Sequence, residues 1–398
     1  MKKFVALLLA ALLVVGMLAG CGSSSAEETK AAASGEAAEG AAASLKIGMT
    51  GPLTGGAAVY GTAVEAGIEI AVEEINAAAA ENGGLTLEFQ SQDDEADGEK
   101  AVSGYNVLKD WGMQVFIGTV TSGACNAVAP EAVADEIFLL TPSASALEVA
   151  MAGPNTFQMC FTDPNQGASA AEVIANNWAE AEIGVVYDSS DDYSTGLYEG
   201  FMEKANELGL SIVCETSFTA DTKSDLSTQV TQCKDAGADL MFLPIYYTEA
   251  SQILTYANKV GYEPTYVGCD GMDGILDVEG FDTTLAEGMA LLTPFDANAA
   301  DEATQSFVAK YAEKTGGVPN QFAADAYDCV YAVYNACVAA GVDGSTAASD
   351  VCAALVEQFN ALTFDGLTGS GMTWDENGMI SKAPAAVVIE NGIYVPMA

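Results

Sequence analysis

The sequence predicts an α/β protein of two doubly wound parallel-sheet lobes, which a hinge joins around a central cleft. Short apolar runs alternate with helical stretches of about 10–15 residues, the pattern of parallel strands covered by helices on both faces. The alternation stops and restarts after Asp163–Pro164. The chain has 398 residues and 50% of them are hydrophobic. At about 100–200 residues per domain, this is enough to build two cores.

The first run of alternating elements begins at residue 45. Its clearest helical pattern covers residues 60–80, where apolar side chains recur every three or four positions. Its strands are short and apolar and end at polar or glycine-rich loops. The predicted strands are 45–49, 85–89, 115–117 and 137–140, and the predicted helices are 60–80, 100–111 and 123–135.

The second run repeats this pattern, and three further helices follow it. The predicted strands are 183–187, 210–215, 240–243 and 265–267, separated by helices 194–208, 224–236 and 248–260. Helices 301–315, 322–340 and 346–360 come next, and strands 385–389 and 392–395 close the chain. The late helices have too few strands beside them to form a third domain. We therefore predict a first lobe of residues 45–161 plus 292–379 and a second lobe of 162–291 plus 380–398.

The N-terminus has the pattern of a lipoprotein signal peptide over residues 1–20. Two lysines precede an apolar run that is too short to span a membrane comfortably. The run ends in Leu18-Ala19-Gly20-Cys21, which resembles the lipobox of bacterial lipoproteins, so Cys21 is the predicted lipidation site. Residues 21–44 are rich in Ala, Ser, Gly and Glu and predict a flexible tether.

The charge pattern excludes several classes of function. The formal net charge is −43, all 13 basic residues are lysines, and the chain has neither arginine nor histidine. Nucleic acid needs clustered cations, and serine or cysteine nucleophiles of the common type need histidine, so neither is expected. A hydrolase with paired carboxylates such as Asp191–Asp192 stays formally open, but that pair has the pattern of a solvated turn. We predict a protein that is not an enzyme and that has no metal or cofactor.

Ligands of open α/β sheets bind beyond the carboxyl ends of the strands, so the loops there are the candidate site. Residues 119–123 and 141–145 supply hydroxyls and small side chains in the first lobe. Tyr246, Tyr247 and Asp270 follow strands of the second lobe. Hydroxyls for a carboxylate and an acidic residue for an ammonium match an α-amino acid. The same residues also serve commonly as helix caps, turns and packing groups.

Several short motifs, in their order and spacing from residue 45 to the C-terminus, resemble type I periplasmic binding proteins of the leucine/isoleucine/valine-binding kind, which feed ABC importers. Each motif alone is weakly specific. The motifs are KIG at 46–48, GPLTG at 51–55, AVEEIN at 71–76, TPSAS at 141–145, IYYTEA at 245–250, GCDG at 268–271 and ADAYD at 324–328.

The resemblance implies a Venus-flytrap fold and a role for eight residues. Ser122 and the Gly123 amide are expected to bind a ligand carboxylate, and the Ser143 carbonyl to accept from the ammonium. Asp270 stands where the family often has glutamate as the ammonium partner. The remaining implied positions are Ser145, which touches both ligand ends, Tyr246 near the amino group, and Tyr60 and Tyr193, which line the cleft.

The expected function is that of an extracytoplasmic solute-binding lipoprotein, anchored to the outer face of the bacterial cell membrane. It would bind an aliphatic or branched-chain amino acid by hinge closure, act as a monomer and deliver the ligand to an ABC permease. An amide, urea-like or carboxylate ligand, or a sensory role, stays open. Eight cysteines remain after Cys21. They allow 105 full pairings, and we expect mostly buried thiols with one or two bridges.

Overall fold

The structure is a computed structural model that describes residues 43–397. The predicted signal peptide, Cys21 and nearly all of the tether lie outside the described residues. Across the described range, no helix has the length and apolar character needed to cross a membrane.

Fourteen strands and eleven α-helices form the described chain. The strands are β1 Leu45–Gly51, β2 Leu87–Asp93, β3 Val115–Ile117, β4 Phe138–Thr141, β5 Thr156–Gln158, β6 Glu182–Asp188, β7 Ser211–Phe218, β8 Leu240–Leu243, β9 Thr265–Gly268, β10 Ala290–Thr293, β11 Phe364–Gly366, β12 Gly369–Met372, β13 Ala385–Glu390 and β14 Ile393–Pro396. The helices are α1 Ala58–Asn82, α2 Gly98–Trp111, α3 Ser122–Ala134, α4 Leu147–Ala150, α5 Asp163–Asn177, α6 Asp192–Leu208, α7 Ser227–Ala236, α8 Tyr247–Lys259, α9 Glu302–Thr315, α10 Gln321–Ala340 and α11 Ala348–Phe359.

The first sheet has five parallel strands in the order β2-β1-β3-β4-β5. Alternate side chains of each strand enter different cores, as the two-residue period of a strand requires. Phe116 and Leu139 pack with α2 and α3. Val115, Ile117 and Leu140 point to the opposite face, toward α1, α10 and α11. Both faces are therefore covered, which explains why these strands are apolar throughout.

The second sheet repeats this topology and extends it. Its order is β14-β13-β10-β9-β8-β6-β7, in which β6 to β10 are parallel and β13 and β14 are antiparallel. Leu240 and Phe242 pack with α5 and α6 on one face. Met241 and Leu243 face the other side, toward α7 and α8. In each sheet the strand order reverses beside the first parallel strand, and ligands of doubly wound folds bind at such points.

The predicted fold class is confirmed, and each predicted strand and helix appears with bounds shifted by a few residues. Helix α5 was missed, because it packs through small residues and lacks a strong apolar period. A Cβ at Gly167 would lie 2.3 Å from the Leu197 carbonyl oxygen of α6, and one at Gly200 would lie 2.7 Å from Pro164 Cα. Close backbone contact replaces large side chains at this interface. Strands β5 and β10 and the hairpin β11–β12 were also missed.

The chain passes between the two sheets three times. It crosses after β5, after β10 and before β13. Strand β10 ends at Thr293, so the predicted boundary between residues 291 and 292 falls within a strand of the second sheet. Helix α10 returns to pack on α1, where a Cβ at Gly67 would lie 2.2 Å from the Ala323 carbonyl oxygen. We propose that the first lobe is the five-stranded sheet with α1–α4 and α9–α11, and that the second is the seven-stranded sheet with α5–α8.

Candidate functional site

A small, partly open cavity of about 10 Å3 lies between the carboxyl edges of the two sheets. The segments that follow β1, β3 and β4, each with the start of the next helix where there is one, contribute from the first sheet, and those that follow β6, β8 and β9 contribute from the second. Phe322 reaches the cavity from α10, which follows none of these strands directly. The lining residues are Tyr60, Val120, Thr121, Ser122, Ser143, Tyr193, Tyr246, Asp270, Gly271 and Phe322.

The N-terminus of α3 lies at this cavity, where Ser122 is part of the wall, and it has no side-chain cap. Thr121 stands at the N-cap position, but its hydroxyl makes no capping hydrogen bond and has no partner in residues 43–397. Aspartates or asparagine cap the N-termini of α2, α6, α9 and α10, whereas the other α-helices of residues 43–397, like α3, have no side-chain cap. An uncapped helix N-terminus carries free N–H groups and partial positive charge, which suits a carboxylate.

The hydroxyl of Ser122 joins the two hydroxyl-rich loops of the first sheet. It accepts from the amides of Ser145 and Ala146, both at 3.1 Å. Ser143 Oγ donates to the Val120 carbonyl at 2.7 Å and so fixes the second loop against the first. The Ser145 hydroxyl is buried and has no hydrogen-bond partner in the described part of the chain. The loops are thus held in place by their own contacts, while the Ser122 O–H proton stays free for a ligand.

Asp270 is held on the opposite side of the cavity by two donors. The Tyr193 hydroxyl donates to Oδ1 at 2.7 Å, and Gln166 Nε2 donates to Oδ2 at 2.9 Å. Gln166 also accepts from the Asp270 amide, and the Gly271 amide donates to the Tyr193 hydroxyl at 2.8 Å. The carboxyl is 3% exposed. Burial raises its pKa to about 7, although both hydrogen bonds act in the opposite direction.

Asp163 is a second buried carboxyl, and the sequence analysis did not select it. It is fully buried at the start of α5, and neither of its oxygens has a hydrogen-bond partner within residues 43–397. Burial raises its pKa well above the ordinary range, the Ser145 hydroxyl opposes this rise, and the charge of Asp270 adds to it. Thr162-Asp163-Pro164 is a helix-start signal, since threonine favours the N-cap and proline the first turn. That signal was interpreted only as a boundary between lobes.

Aromatic rings form the apolar wall of the cavity. Tyr193 and Tyr246 stack with ring centroids 4.8 Å apart, and Tyr60 lies 5.6 Å from Tyr246 and 4.7 Å from Phe322. The Tyr246 hydroxyl is buried without a hydrogen-bond partner in the part of the chain that is described. The rings therefore present apolar faces to a side chain and one free hydroxyl to a polar group.

The two halves touch directly around the cavity. The Tyr60 hydroxyl donates to the Gly271 carbonyl at 2.5 Å, and Thr248 Oγ1 donates to the Gly56 carbonyl at 2.6 Å. Asn126 Nδ2 donates to Asp192 across the opening at 2.8 Å. Each pair joins an element of the first sheet to one of the second. These contacts describe a closed cleft.

The structure brings six of the eight predicted residues to the cavity wall. Gly123 lines the adjoining opening to solvent instead, and Ser145 sits behind the wall with Asp163 as neighbour. Their roles in binding stay predictions. Four residues of the wall were not among the eight: Val120, Thr121, Gly271 and Phe322. The first three lie in the segments 119–123 and 268–271, which the sequence analysis named, whereas nothing in the local sequence distinguishes a phenylalanine on a distant helix.

The ADAYD motif lies behind the site and is structural. Lys382 Nζ contacts Asp325 Oδ1 at 2.5 Å and Thr368 Oγ1 at 2.6 Å, all buried. Asp328 accepts from the amides of Leu367 and Thr368 at 2.8 and 2.9 Å. The motif therefore fixes the β11–β12 segment. Lys382 is occupied by Asp325 and does not line the cavity.

A family model described as periplasmic binding protein matches residues 44–392. This chain belongs to that family. The binding protein is 27% identical over 351 residues to Leu/Ile/Val-binding protein homolog 3 of Brucella melitensis, covering 87% of this chain and 91% of the relative. It is 26% identical over 339 residues to the leucine-, isoleucine-, valine-, threonine-, and alanine-binding protein of Pseudomonas aeruginosa, covering 85% and 87%.

Among solved structures, the binding protein is similar to the branched-chain amino acid transporter substrate-binding protein LivJ of Streptococcus pneumoniae in complex with isoleucine. The TM-score is 0.79 at 26% identity, and the match covers 89% of this chain and all of that one. The likeness confirms the resemblance drawn from the motifs and the type I fold. Members of this family bind solutes outside the cytoplasm and are not enzymes. This protein is therefore a solute-binding protein and not an enzyme.

Proposed function

We propose that the protein binds a single aliphatic α-amino acid in the closed cleft and delivers it to an ABC permease. The observation that carries the proposal is the pair of unpartnered buried hydroxyls on the cavity wall, those of Thr121 and Tyr246, together with the buried carboxyl of Asp270 on the same wall. Buried polar groups in native proteins are almost always paired. A ligand with an anionic end and a cationic end would satisfy them.

The ammonium group is expected beside the two carboxyls. Asp270 and Asp163 are both buried, and among the residues that the structure describes no lysine lines the cavity. A buried carboxylate is costly unless it is paired, so a cation in the cavity would favour the ionised form of both groups. An ammonium has three donors, and two of these can be directed at Asp270 and the Ser143 carbonyl on the cavity wall.

The carboxylate is expected at the other end, against the first sheet. The uncapped N-terminus of α3 offers the amides of Ser122 and Gly123, and the hydroxyls of Ser122 and Thr121 lie beside it. Charge-assisted hydrogen bonds of this kind are about twice as strong as neutral ones. They replace the arginine that the chain lacks.

An aliphatic side chain fits the aromatic wall, since Tyr60, Tyr246 and Phe322 present ring faces and Val120 adds a methyl surface. The two sequence relatives and LivJ, all named for branched-chain amino acids, support the same class. The lipobox pattern ending at Cys21 supports anchoring at the outer face of the cell membrane, where a permease would receive the ligand.

Calorimetric titration of ligand-stripped protein tests this proposal. Leucine, isoleucine, valine and alanine are compared with the 2-oxo acid of leucine, which lacks the ammonium, and with leucinamide, which lacks the carboxylate. We expect one-to-one binding of at least one aliphatic amino acid. Either analogue should bind about 100-fold more weakly or worse, because a buried partner would be left unpaired at about 3 kcal/mol or more.

Equal affinity for the amino acid and its 2-oxo acid would contradict the ammonium site and point to a carboxylate ligand. Equal affinity for leucinamide would contradict the carboxylate site and point to an amide. Folded, ligand-free protein that binds none of these compounds would refute the amino-acid proposal as a whole.

A further inference from the structure

Two cysteines lie side by side at the edge of the second sheet, outside the ligand cavity. Cys214 lies on β7 and Cys233 on α7, and their sulfur atoms are 3.2 Å apart. Cys233 is fully buried, whereas Cys214 is half-buried. Strand β7 is the last strand of the sheet order, so it has a neighbour on one side only.

Gly184 creates the space in which this pair meets. It lies directly opposite Cys214 on the adjacent strand β6. A Cβ at this glycine would lie 2.9 Å from Cys233 Sγ and 3.1 Å from its Cβ. The register of β6 and β7 also shifts between Ile183 and Gly184, so that Ile212 and Cys214 are paired in succession and Val213 is bulged out. A bulge re-aims the side chains beside it.

We infer that Cys214 and Cys233 form a structural disulfide in the exported protein. The bond requires a sulfur separation of about 2.05 Å, so the two atoms must approach by only about 1.2 Å. The family is extracytoplasmic, and disulfides form and persist in oxidising compartments outside the cytoplasm. The sequence left 105 full pairings open, and the fold selects this pair.

The oxidant in this step is a disulfide, either of a protein or of a small molecule such as oxidised glutathione. The partly exposed Cys214 reacts first: its thiolate attacks one oxidant sulfur, forms a mixed disulfide and releases the first oxidant thiol. Cys233 then loses its proton and attacks the Cys214 sulfur, which releases the second oxidant thiol. The two protein thiols lose two electrons and two protons, and the oxidant gains both.

The bridge would tie α7 to the edge strand across a 19-residue separation. Closing such a loop restricts the unfolded chain more than the folded one. Neither cysteine lines the candidate ligand cavity. The bridge should therefore affect stability and leave ligand affinity unchanged.

Differential alkylation tests the inference without any mutation. Exported protein, collected with its cysteines trapped by iodoacetamide, is denatured, reduced, labelled with N-ethylmaleimide and mapped by mass spectrometry. We expect the second label on Cys214 and Cys233, and their two peptides joined in an unreduced digest. If both cysteines carry the iodoacetamide label, even after the folded protein has been incubated with oxidised glutathione, they were free thiols and the proposal is overturned.

A matched set of variants gives an independent readout. Reductant should lower the Tm of the oxidised wild type by about 5–10 °C, and it should leave the Tm of Cys214→Ser unchanged. Cys337→Ser, which removes another buried cysteine on α10, should keep the reductant-dependent shift. A wild-type Tm that does not respond to reductant, together with unlinked peptides, would show that the two residues stay thiols.

Discussion

The substitution Asp270→Asn tests the charge partner of the proposed ligand with little change in shape. Asp270 accepts from Tyr193 and from Gln166, and asparagine can accept only one of these bonds while its amide group faces the other donor. The ammonium of the ligand would lose a charged partner and meet either a neutral carbonyl or a second donor.

The expected loss of affinity follows from the burial of the pair. Asp270 is 3% exposed, so water cannot replace the missing charge. Removing one partner of a buried ion pair costs about 3–5 kcal/mol, which is about 10²- to 10⁴-fold in Kd. Asparagine still offers a carbonyl oxygen to the ammonium, which places the expected result in the lower half of this range.

Calorimetry with the best amino-acid ligand is the assay, and circular dichroism with thermal unfolding verifies that the variant folds. Asp277→Asn is the control, because it removes one negative charge from the same segment at an exposed position outside the cavity. We expect its Kd to stay within about twofold of the wild type, the size of a surface charge effect. A folded Asp270→Asn protein that binds the amino acid within threefold of wild type would refute the assignment of Asp270 as the ammonium partner.

Three further predictions follow from the same contacts. The affinity for the amino acid should fall about 30-fold from pH 8 to pH 5.5, because protonation of Asp270 near its pKa of about 7 removes the charge partner, and the Asp270→Asn protein should show a flat calorimetric profile. The stability of the ligand-free protein should change in the other direction. In the folded protein the Asp270 carboxyl keeps its proton up to a pKa of about 7, whereas in the unfolded chain it loses the proton near pH 3.8. Denaturant titrations should therefore give a lower free energy of unfolding at pH 8 than at pH 5. Tyr60→Phe removes the contact to Gly271 across the cleft, and calorimetry should show about 2- to 10-fold weaker binding with unchanged Tm, whereas no change would exclude a role of that bond in closure.

The sequence was most informative where local chemistry and topology coincide. Parallel strands place their carboxyl ends at one edge, so hydroxyl-rich loops after successive strands had to lie together, and Ser122 and Ser143 do line one cavity. Asp270 could be selected because it comes in the loop after an apolar strand and because the motif around it resembles the family. These positions depend on short-range patterns and on one general property of doubly wound sheets.

The rest of the site depends on contacts that no local pattern reports. Asp163 was missed because α5 packs through glycine and alanine, so the helix that positions it had no strong apolar period. Phe322 reaches the cavity from α10, and its approach is set by the packing of that helix on α1. The meeting of Cys214 and Cys233 depends on a bulge and on a glycine in a neighbouring strand. Such features arise from tertiary packing and not from residue order.

The two buried carboxyls affect the balance between the open and closed forms of the cleft. In the closed cleft Asp163 and Asp270 are both buried, and within residues 43–397 no lysine lines the cavity, so closing without a ligand requires these groups to hold protons or repel each other. A ligand with an ammonium group, as proposed, would bring the missing positive charge and remove this penalty. The ligand-free protein would then favour an open cleft, and closure would itself signal that a ligand is bound.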